Sequence, residues 1–168
     1  MQSMVRDLRI KKQEMALVEG ELRKLMKLLD YQLETMPGGD VVTASALVAE
    51  IGDIQRFPNA NKLARYAGIA PVHFGSGGKG KDHKSKQGNR TLHALFYQLA
   101  IQQIQVAKES KKPRNPVFYE YYQRKRKEGK TKGQALVCIM RRLVNIIYGM
   151  MKHKTAYQLP NITERKVI

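Results

Sequence analysis

An apolar stripe at heptad spacing runs through the first 36 residues, and it restricts the possible folds more than any other feature. Six of six a positions and three of five d positions are apolar; the a positions are Met1, Leu8, Met15, Leu22, Leu29 and Met36, and the d positions are Met4, Lys11, Val18, Leu25 and Gln32. This spacing predicts a coiled-coil helix over residues 1–35. One helix cannot bury its own seam, so the partner is either a second copy of the chain or the rest of this one. The length of the pattern favours dimerisation.

The remainder predicts a compact helical domain over residues 36–154, followed by a loose tail over 155–168. A Pro-Gly-Gly turn at 36–40 ends the first helix. Further helices are expected at 41–51, from 59 to about 66, from 90 to 107 and from 116 to 127. Seven apolar residues on one face between Leu136 and Met150 predict a strongly amphipathic last helix. The predicted fold class is mainly α, with no strand pair.

No stretch of 18 apolar residues occurs, so no membrane partner is expected. The most apolar run, 136–151, is interrupted by Arg141 and Arg142. The single cysteine, Cys138, is interpreted as a small buried hydrophobic residue. One cysteine supports neither a disulfide framework nor a zinc site. A reducing, cytoplasmic location fits these features.

Positive charge is concentrated after residue 36. The formal net charge is +17, of which residues 1–36 contribute +1 and residues 37–168 contribute +16. Charge this large raises the self-repulsion of a compact chain and indicates a polyanionic partner, with double-stranded DNA as the leading candidate. The alternative is a basic protein whose charge only maintains solubility.

Residues 75–90 contain five glycines, five basic residues and one acidic residue, and they have no apolar face. This composition predicts a long basic loop. Glycine backbone approaches phosphates closely, and the cations add attraction. The expected DNA contacts are Gly77, Gly78, Lys79, Lys81, Lys84, Lys86, Asn89 and Arg90. The alternative is a flexible, solvated loop.

Ser76 is flanked by glycines and is sterically open. A nucleophilic serine needs a base or a strongly electropositive setting, and His73, His83 and the lysines lie nearby in sequence. On residues alone, a Gly-Ser-Gly run is more often a linker. Ser85 is a weaker candidate.

Two other segments suggest phosphate contacts. The turn at 36–42 is similar to a helix-hairpin-helix, in which backbone N–H groups face a phosphate, although Asp40 occupies the anion position. A plain capped helix start is the alternative. Further along, tyrosines at core spacing accompany a basic run expected to contact phosphates: Arg124, Lys125, Arg126 and Lys127.

Acidic residues are scarce. Glu50 and Asp53 lie three residues apart and have the chemistry to share a metal ion, but no further carboxylate is assigned near them. No metal site is therefore predicted in this chain.

The order of several short motifs resembles the C-terminal transposase domain of the IS110 insertion-sequence family, recombinases guided by a bridge RNA. The motifs are 49–53 (Ala-Glu-Ile-Gly-Asp), 56–58 (Arg-Phe-Pro), 63–71 (Leu-Ala-Arg-Tyr-Ala-Gly-Ile-Ala-Pro), 76–79 (Ser-Gly-Gly-Lys) and 85–90 (Ser-Lys-Gln-Gly-Asn-Arg). The resemblance covers about residues 36–152, and the preceding coiled coil fits the family's linker region.

The resemblance implies a DNA recombinase in which Ser76 is the nucleophile and forms a covalent phosphoserine link to a DNA strand. The basic loop with Asn89 and Arg90 would hold the scissile phosphate. It also implies a guide RNA and a homo-oligomer as partners. Asp40 and His93 depart from the family pattern, since a glycine and an arginine are usual there.

Family members also carry an N-terminal RuvC-like domain with four acidic residues that bind magnesium. Residues 1–36 do not hold such a domain, so the chain is expected to be a fragment, a truncated product or a decayed copy that binds DNA without recombining it. No cofactor is expected in this chain, and magnesium is expected in that N-terminal domain. The alternatives are a non-catalytic nucleic-acid-binding protein and an oligomerisation module with incidental charge.

Overall fold

The computed structural model describes the backbone of residues 2–70, 72–76, 79–83 and 87–158, and the side chains of 3–70 and 87–158. Six helices dominate this part: α1 (Gln2–Leu29), α2 (Val41–Ile51), α3 (Ala60–Tyr66), α4 (Arg90–Ile104), α5 (Pro116–Lys127) and α6 (Lys132–His153). Two 3₁₀ turns (Leu33–Thr35 and Ile54–Arg56) and two strands, β1 (Val72–Ser76) and β2 (Lys79–His83), complete it. The predicted mainly α class is confirmed.

Short polar side chains begin five of the six helices. Each accepts a hydrogen bond from a backbone N–H in the first turn of its helix, which satisfies a donor that has no partner inside the helix. These N-caps are Asp40, Asn59, Asn89, Asn115 and Thr131. Local chemistry therefore specifies where α2 to α6 start.

Helix α6 is the centre of the core. It buries nine side chains and packs against α3, α4 and α5. Its length and composition would allow it to cross a membrane, and it is the only such helix in the described residues, but half of the qualifying segment is buried inside the protein. That burial is typical of a core helix, which satisfies the same criteria.

Helix α1 contrasts with α6, because Met26 is its only buried side chain among those described. The helix ends at Leu29, six residues before the predicted end of the coiled coil at residue 35. Asp30 takes a left-handed backbone (φ +57°), and the chain then turns. Leu33 and Met36, the last a position of the predicted heptad pattern, are both buried in the core, each 3% exposed.

A buried polar network joins distant parts of the chain. Gln103 and Asn115 are fully buried, and Asn115 Nδ2 donates to Gln103 Oε1 (2.8 Å) and to the Tyr157 hydroxyl (2.9 Å). Gln103 Nε2 donates to the Pro37 carbonyl. Tyr157 therefore docks on the domain although a loose tail was predicted from residue 155; the tail from 159 onward lies outside the described residues.

Candidate nucleic-acid interface

The segment predicted to be a loop contains a β-hairpin. Strands β1 and β2 pair antiparallel, with Val72 opposite His83 and Ser76 opposite Lys79. Period-2 alternation is absent from the sequence of β2, so pattern reasoning did not predict these strands. The hairpin places the backbone of Ser76 and Lys79 side by side at its closed end. At about 3.3 Å per residue, Ser76 lies roughly 13 Å along the strand from Val72.

Two glycines that flank the hairpin in sequence lie in close contact. Gly68 (φ +65°) and Gly88 (φ +120°) both adopt conformations that other residues rarely take. A Cβ on Gly88 would lie 2.6 Å from the Gly68 nitrogen and 2.8 Å from the Tyr66 carbonyl oxygen. The backbone N–H of Asn89 donates to that same oxygen (2.7 Å). The two chain ends that flank the hairpin are therefore fixed to each other.

Asn89, predicted to contact DNA, is engaged within the protein. Its Oδ1 accepts from the Leu92 N–H (2.9 Å), which caps α4, and its Nδ2 donates to Glu50 Oε2 (2.5 Å) and the Tyr66 hydroxyl (3.4 Å). The side chain thus positions the start of α4. Arg90, the first residue of that helix, is exposed.

An arginine and an aromatic pair extend this cluster. The Arg56 guanidinium lies 4.7 Å from the ring centroids of both Phe57 and Tyr66. The hydrogen bond from Asn89, followed by that from Arg56, lowers the pKa of the Tyr66 hydroxyl below its ordinary value. Nothing in the local sequence of Arg56, which lies in one of the family motifs, indicates that it meets Tyr66.

The two carboxylates considered for a metal have separate roles. Glu50 accepts from Asn89, whereas Asp53 caps the 3₁₀ turn by accepting from the Gln55 N–H (2.8 Å). Within the described part of the chain, no three His, Cys, Asp or Glu side chains converge into a metal-binding group.

The turn before α2 packs against the protein itself. Asp40 accepts from the Thr43 N–H (2.7 Å), so a carboxylate of the chain occupies the helix N-terminus. A Cβ at Gly38 would meet the Gln102 side chain at 2.6 Å. These contacts support the plain capped helix start that was the alternative to a phosphate-binding turn.

The basic residues of α5 differ in their availability. Lys125 Nζ is paired with Glu128 (2.6 Å), which raises the pKa of Lys125 and lowers the pKa of Glu128. Arg124 Nε lies 3.8 Å from the same carboxylate, and Arg126 donates to the Lys130 carbonyl (2.5 Å). Lys127 is exposed and makes no ion pair with any described residue.

The other predicted contacts fall in the hairpin segment. Lys79 and Lys81 lie on β2, where only the backbone is described, and Ser76 likewise ends β1. Gly77, Gly78, Lys84 and Lys86 lie outside the described residues. For this segment the structure thus describes the backbone of the two strands and the contact between the flanking residues Gly68 and Gly88.

Comparison with known proteins identifies the family. A family model described as "Transposase IS116/IS110/IS902 family" matches residues 30–123. The insertion element IS110 43.6 kDa protein of Streptomyces coelicolor is 32% identical over 144 residues, which are 84% of this chain and 34% of the relative. The insertion element IS116 44.8 kDa protein of Streptomyces clavuligerus is 35% identical over 134 residues (79% and 32%).

A relative with a different name matches a similar share of the chain. The pilin gene-inverting protein of Moraxella bovis is 34% identical over 130 residues, which are 74% of this chain and 37% of the relative. The chain thus spans about a third of the length of these relatives. Because the family model covers more than half of its residues, this chain belongs to the IS116/IS110/IS902 transposase family.

Proposed function

We propose that this chain is the DNA-contacting, serine-bearing part of a transposase that acts in DNA recombination, with Ser76 as the nucleophile. The relatives named for insertion elements and for inverting a pilin gene support a role in moving or rearranging DNA. The net charge of +16 after residue 36 supports DNA as the partner.

The observation that carries the proposal is the backbone pairing of Ser76 with Lys79 at the closed end of a hairpin, which is flanked in sequence by the contact between Gly68 and Gly88. Ser76 is followed in sequence by two glycines, and glycine backbone lets a DNA phosphate approach closely. Lysines and Arg90 surround the same segment in sequence, so the serine lies in an electropositive setting.

The proposed chemistry is transesterification at a phosphodiester. Ser76 Oγ attacks phosphorus, the Oγ–P bond forms, and the bond from phosphorus to the leaving deoxyribose oxygen breaks. The serine loses its proton, and the leaving oxygen gains one. Charge that develops on the phosphoryl oxygens is stabilised by Lys79, Lys81, Lys84, Lys86 and Arg90.

Magnesium does not fit the described residues, which hold no convergent acidic group. We therefore assign any magnesium requirement to the further domain that full-length family members would supply. A guide RNA is proposed as a second polyanionic partner. The exposed apolar residues of α1 support a homo-oligomer formed through that helix.

Duplex DNA binding by fluorescence anisotropy across a salt series tests the interface. Each phosphate contact releases counterions, so log affinity falls with log salt by about 0.9 per contact. Changing Lys79, Lys81, Lys84 and Lys86 together to Gln should flatten this slope. A slope unchanged from wild type would remove the hairpin from the interface.

Ser76→Ala, supplied in trans with a full-length family member, tests the nucleophile. DNA binding should persist while strand transfer and any covalent protein–DNA adduct are lost. Ser85→Ala is the matched control, because it removes a neighbouring hydroxyl in the same basic segment. Unchanged strand transfer with Ser76→Ala would contradict the proposal and leave non-catalytic nucleic-acid binding as the function.

A further inference from the structure

Three cations converge on the ring of Tyr121. The Arg142 guanidinium lies 3.8 Å from the ring centroid, the Arg124 guanidinium 5.1 Å and the Lys125 ammonium 5.6 Å. All three are within the range over which an aromatic face attracts a cation. Arg142 comes from α6 and the others from one turn of α5, so only the packing of the two helices creates this cluster.

The cluster holds more positive than negative charge. Glu128 supplies the negative charge. Its carboxylate accepts a hydrogen bond from Lys125 Nζ (2.6 Å) and lies farther from Arg124 Nε (3.8 Å). The Arg142 guanidinium forms no ion pair or hydrogen bond with any residue that the structure describes. Its cation–π contact with Tyr121 leaves a full positive charge without an anion.

The geometry of Arg142 suits a bound phosphate. The Arg142 guanidinium carbon lies over the Tyr121 ring, and its N–H groups donate to no described residue, so they remain for a bidentate contact with a phosphate. Both helices are anchored in the core, so the cation is held in place before a ligand arrives. Arg124, 62% exposed, lies over the same ring and can contact the same anion.

We infer that Tyr121, Arg124 and Arg142 form a binding site for one phosphodiester group of a nucleic-acid backbone, separate from the hairpin. This inference rests on the proposed nucleic-acid binding and adds a contact held by rigid helices. Tyr121 is a positioning residue in this site, because it holds Arg142 without needing to touch the phosphate.

Arg141 provides a matched control. It is adjacent to Arg142 and, like it, partly buried, but its guanidinium donates to Asn145 Oδ1 (3.0 Å) and to Asn61 on α3. Changing either arginine to Gln removes one charge from the same helix. A difference between the two variants therefore reports on position rather than on net charge.

The test compares Arg142→Gln and Arg141→Gln in the full chain by anisotropy with short duplex DNA across a salt series. Arg142→Gln should lower the slope of log affinity against log salt by about 0.9, and Arg141→Gln should leave it unchanged. Tyr121→Leu should weaken binding about two- to fivefold at fixed salt, whereas Tyr121→Phe should bind like wild type because the ring remains.

A parallel series with single-stranded RNA identifies the source of the phosphate. A slope change of about 0.7 on RNA alone would support the site and assign it to RNA. Slopes for Arg142→Gln equal to wild type on both nucleic acids, with a lowered melting temperature, would make the cluster purely structural and overturn the inference. If the variant with all four hairpin lysines changed to Gln still showed a flatter slope of log affinity against log salt, the proposed function would survive. A wild-type chain that bound neither nucleic acid would overturn both the proposed function and this inference.

Discussion

Helices α1 and α6 have the same kind of sequence pattern and opposite environments. Both are long and carry an apolar stripe at helical spacing, over 28 residues in α1 and 22 in α6. In α6 the stripe is buried by three other helices, and Leu143 is 0% exposed. In α1 most of the stripe faces solvent, and Leu8 and Met15 are 63% and 62% exposed.

The difference shows that periodicity specifies a helix and an apolar face but not the partner of that face. The partner of α6 lies within the chain, whereas in α1 only the C-terminal turns meet the core, through Met26. Exposed apolar stripes of this extent are typical of surfaces that a further molecule covers. The comparison therefore predicts that equal substitutions in the two helices have unequal consequences.

The largest difference is expected between Leu143→Ala and Leu8→Ala. Leu143→Ala leaves a cavity in the core and should reduce the free energy of unfolding by about 2–5 kcal/mol. Leu8→Ala, measured at a protein concentration low enough to prevent association, should change it by less than about 0.5 kcal/mol. Urea titrations followed by circular dichroism measure both. Equal losses would mean that α1 packs against its own chain.

The starts of α2 to α5 were predictable because their signals are local. Proline, glycine and short polar caps stand where α2, α3, α4 and α5 begin, and the structure starts these helices at or beside the expected residues. The end of α1 was not predictable in this way. The heptad pattern continues through Met36, but tertiary packing draws that residue into the core.

The residues of the candidate site likewise differ in whether the local sequence could identify them. The lysines of the hairpin segment were identified from glycine and charge composition, which are local properties, whereas the role of Ser76 was implied by the family resemblance. Arg56 and Arg142 were missed as site residues because their importance depends on Tyr66 and Tyr121, which only the folded chain brings to them. The hairpin was missed because its glycines and lysines lack strand alternation.

Two charges in the exposed stripe should weaken association without unfolding the chain. Changing Leu8 and Met15 together to Asp places two charges at a positions of the predicted seam. Association should weaken about a hundredfold, or roughly 2.8 kcal/mol. Sedimentation velocity over a concentration series measures this. A wild-type chain that stays monomeric at every concentration would contradict the proposed homo-oligomer.

A smaller loss is expected from the cap of α6. The Thr131 hydroxyl accepts from the Gln134 N–H (3.3 Å), and Gln134 Oε1 accepts from the Thr131 N–H (2.9 Å), which forms a capping box. Thr131→Ala should cost about 1 kcal/mol of unfolding free energy, and Thr131→Ser should restore most of it. A loss as large as that of Leu143→Ala would mean that local signals, and not burial, dominate the stability of α6.

The smallest effect is expected from the surface ion pairs of α1. Lys24 pairs with Glu21 (2.8 Å), and both side chains are about 70% exposed, so solvent and salt screen their attraction. Lys24→Gln should therefore change the unfolding free energy by less than about 0.5 kcal/mol, and the change should vanish at 1 M salt, where the Debye length is about 3 Å. Lys24 is at a c position of the heptad, so the predicted seam is untouched and the association constant should match wild type.

A loss above about 1 kcal/mol at low salt would show that charge pairs hold α1 in its helical state. Burial of its stripe by a second copy would then no longer be needed to explain why this exposed helix is stable.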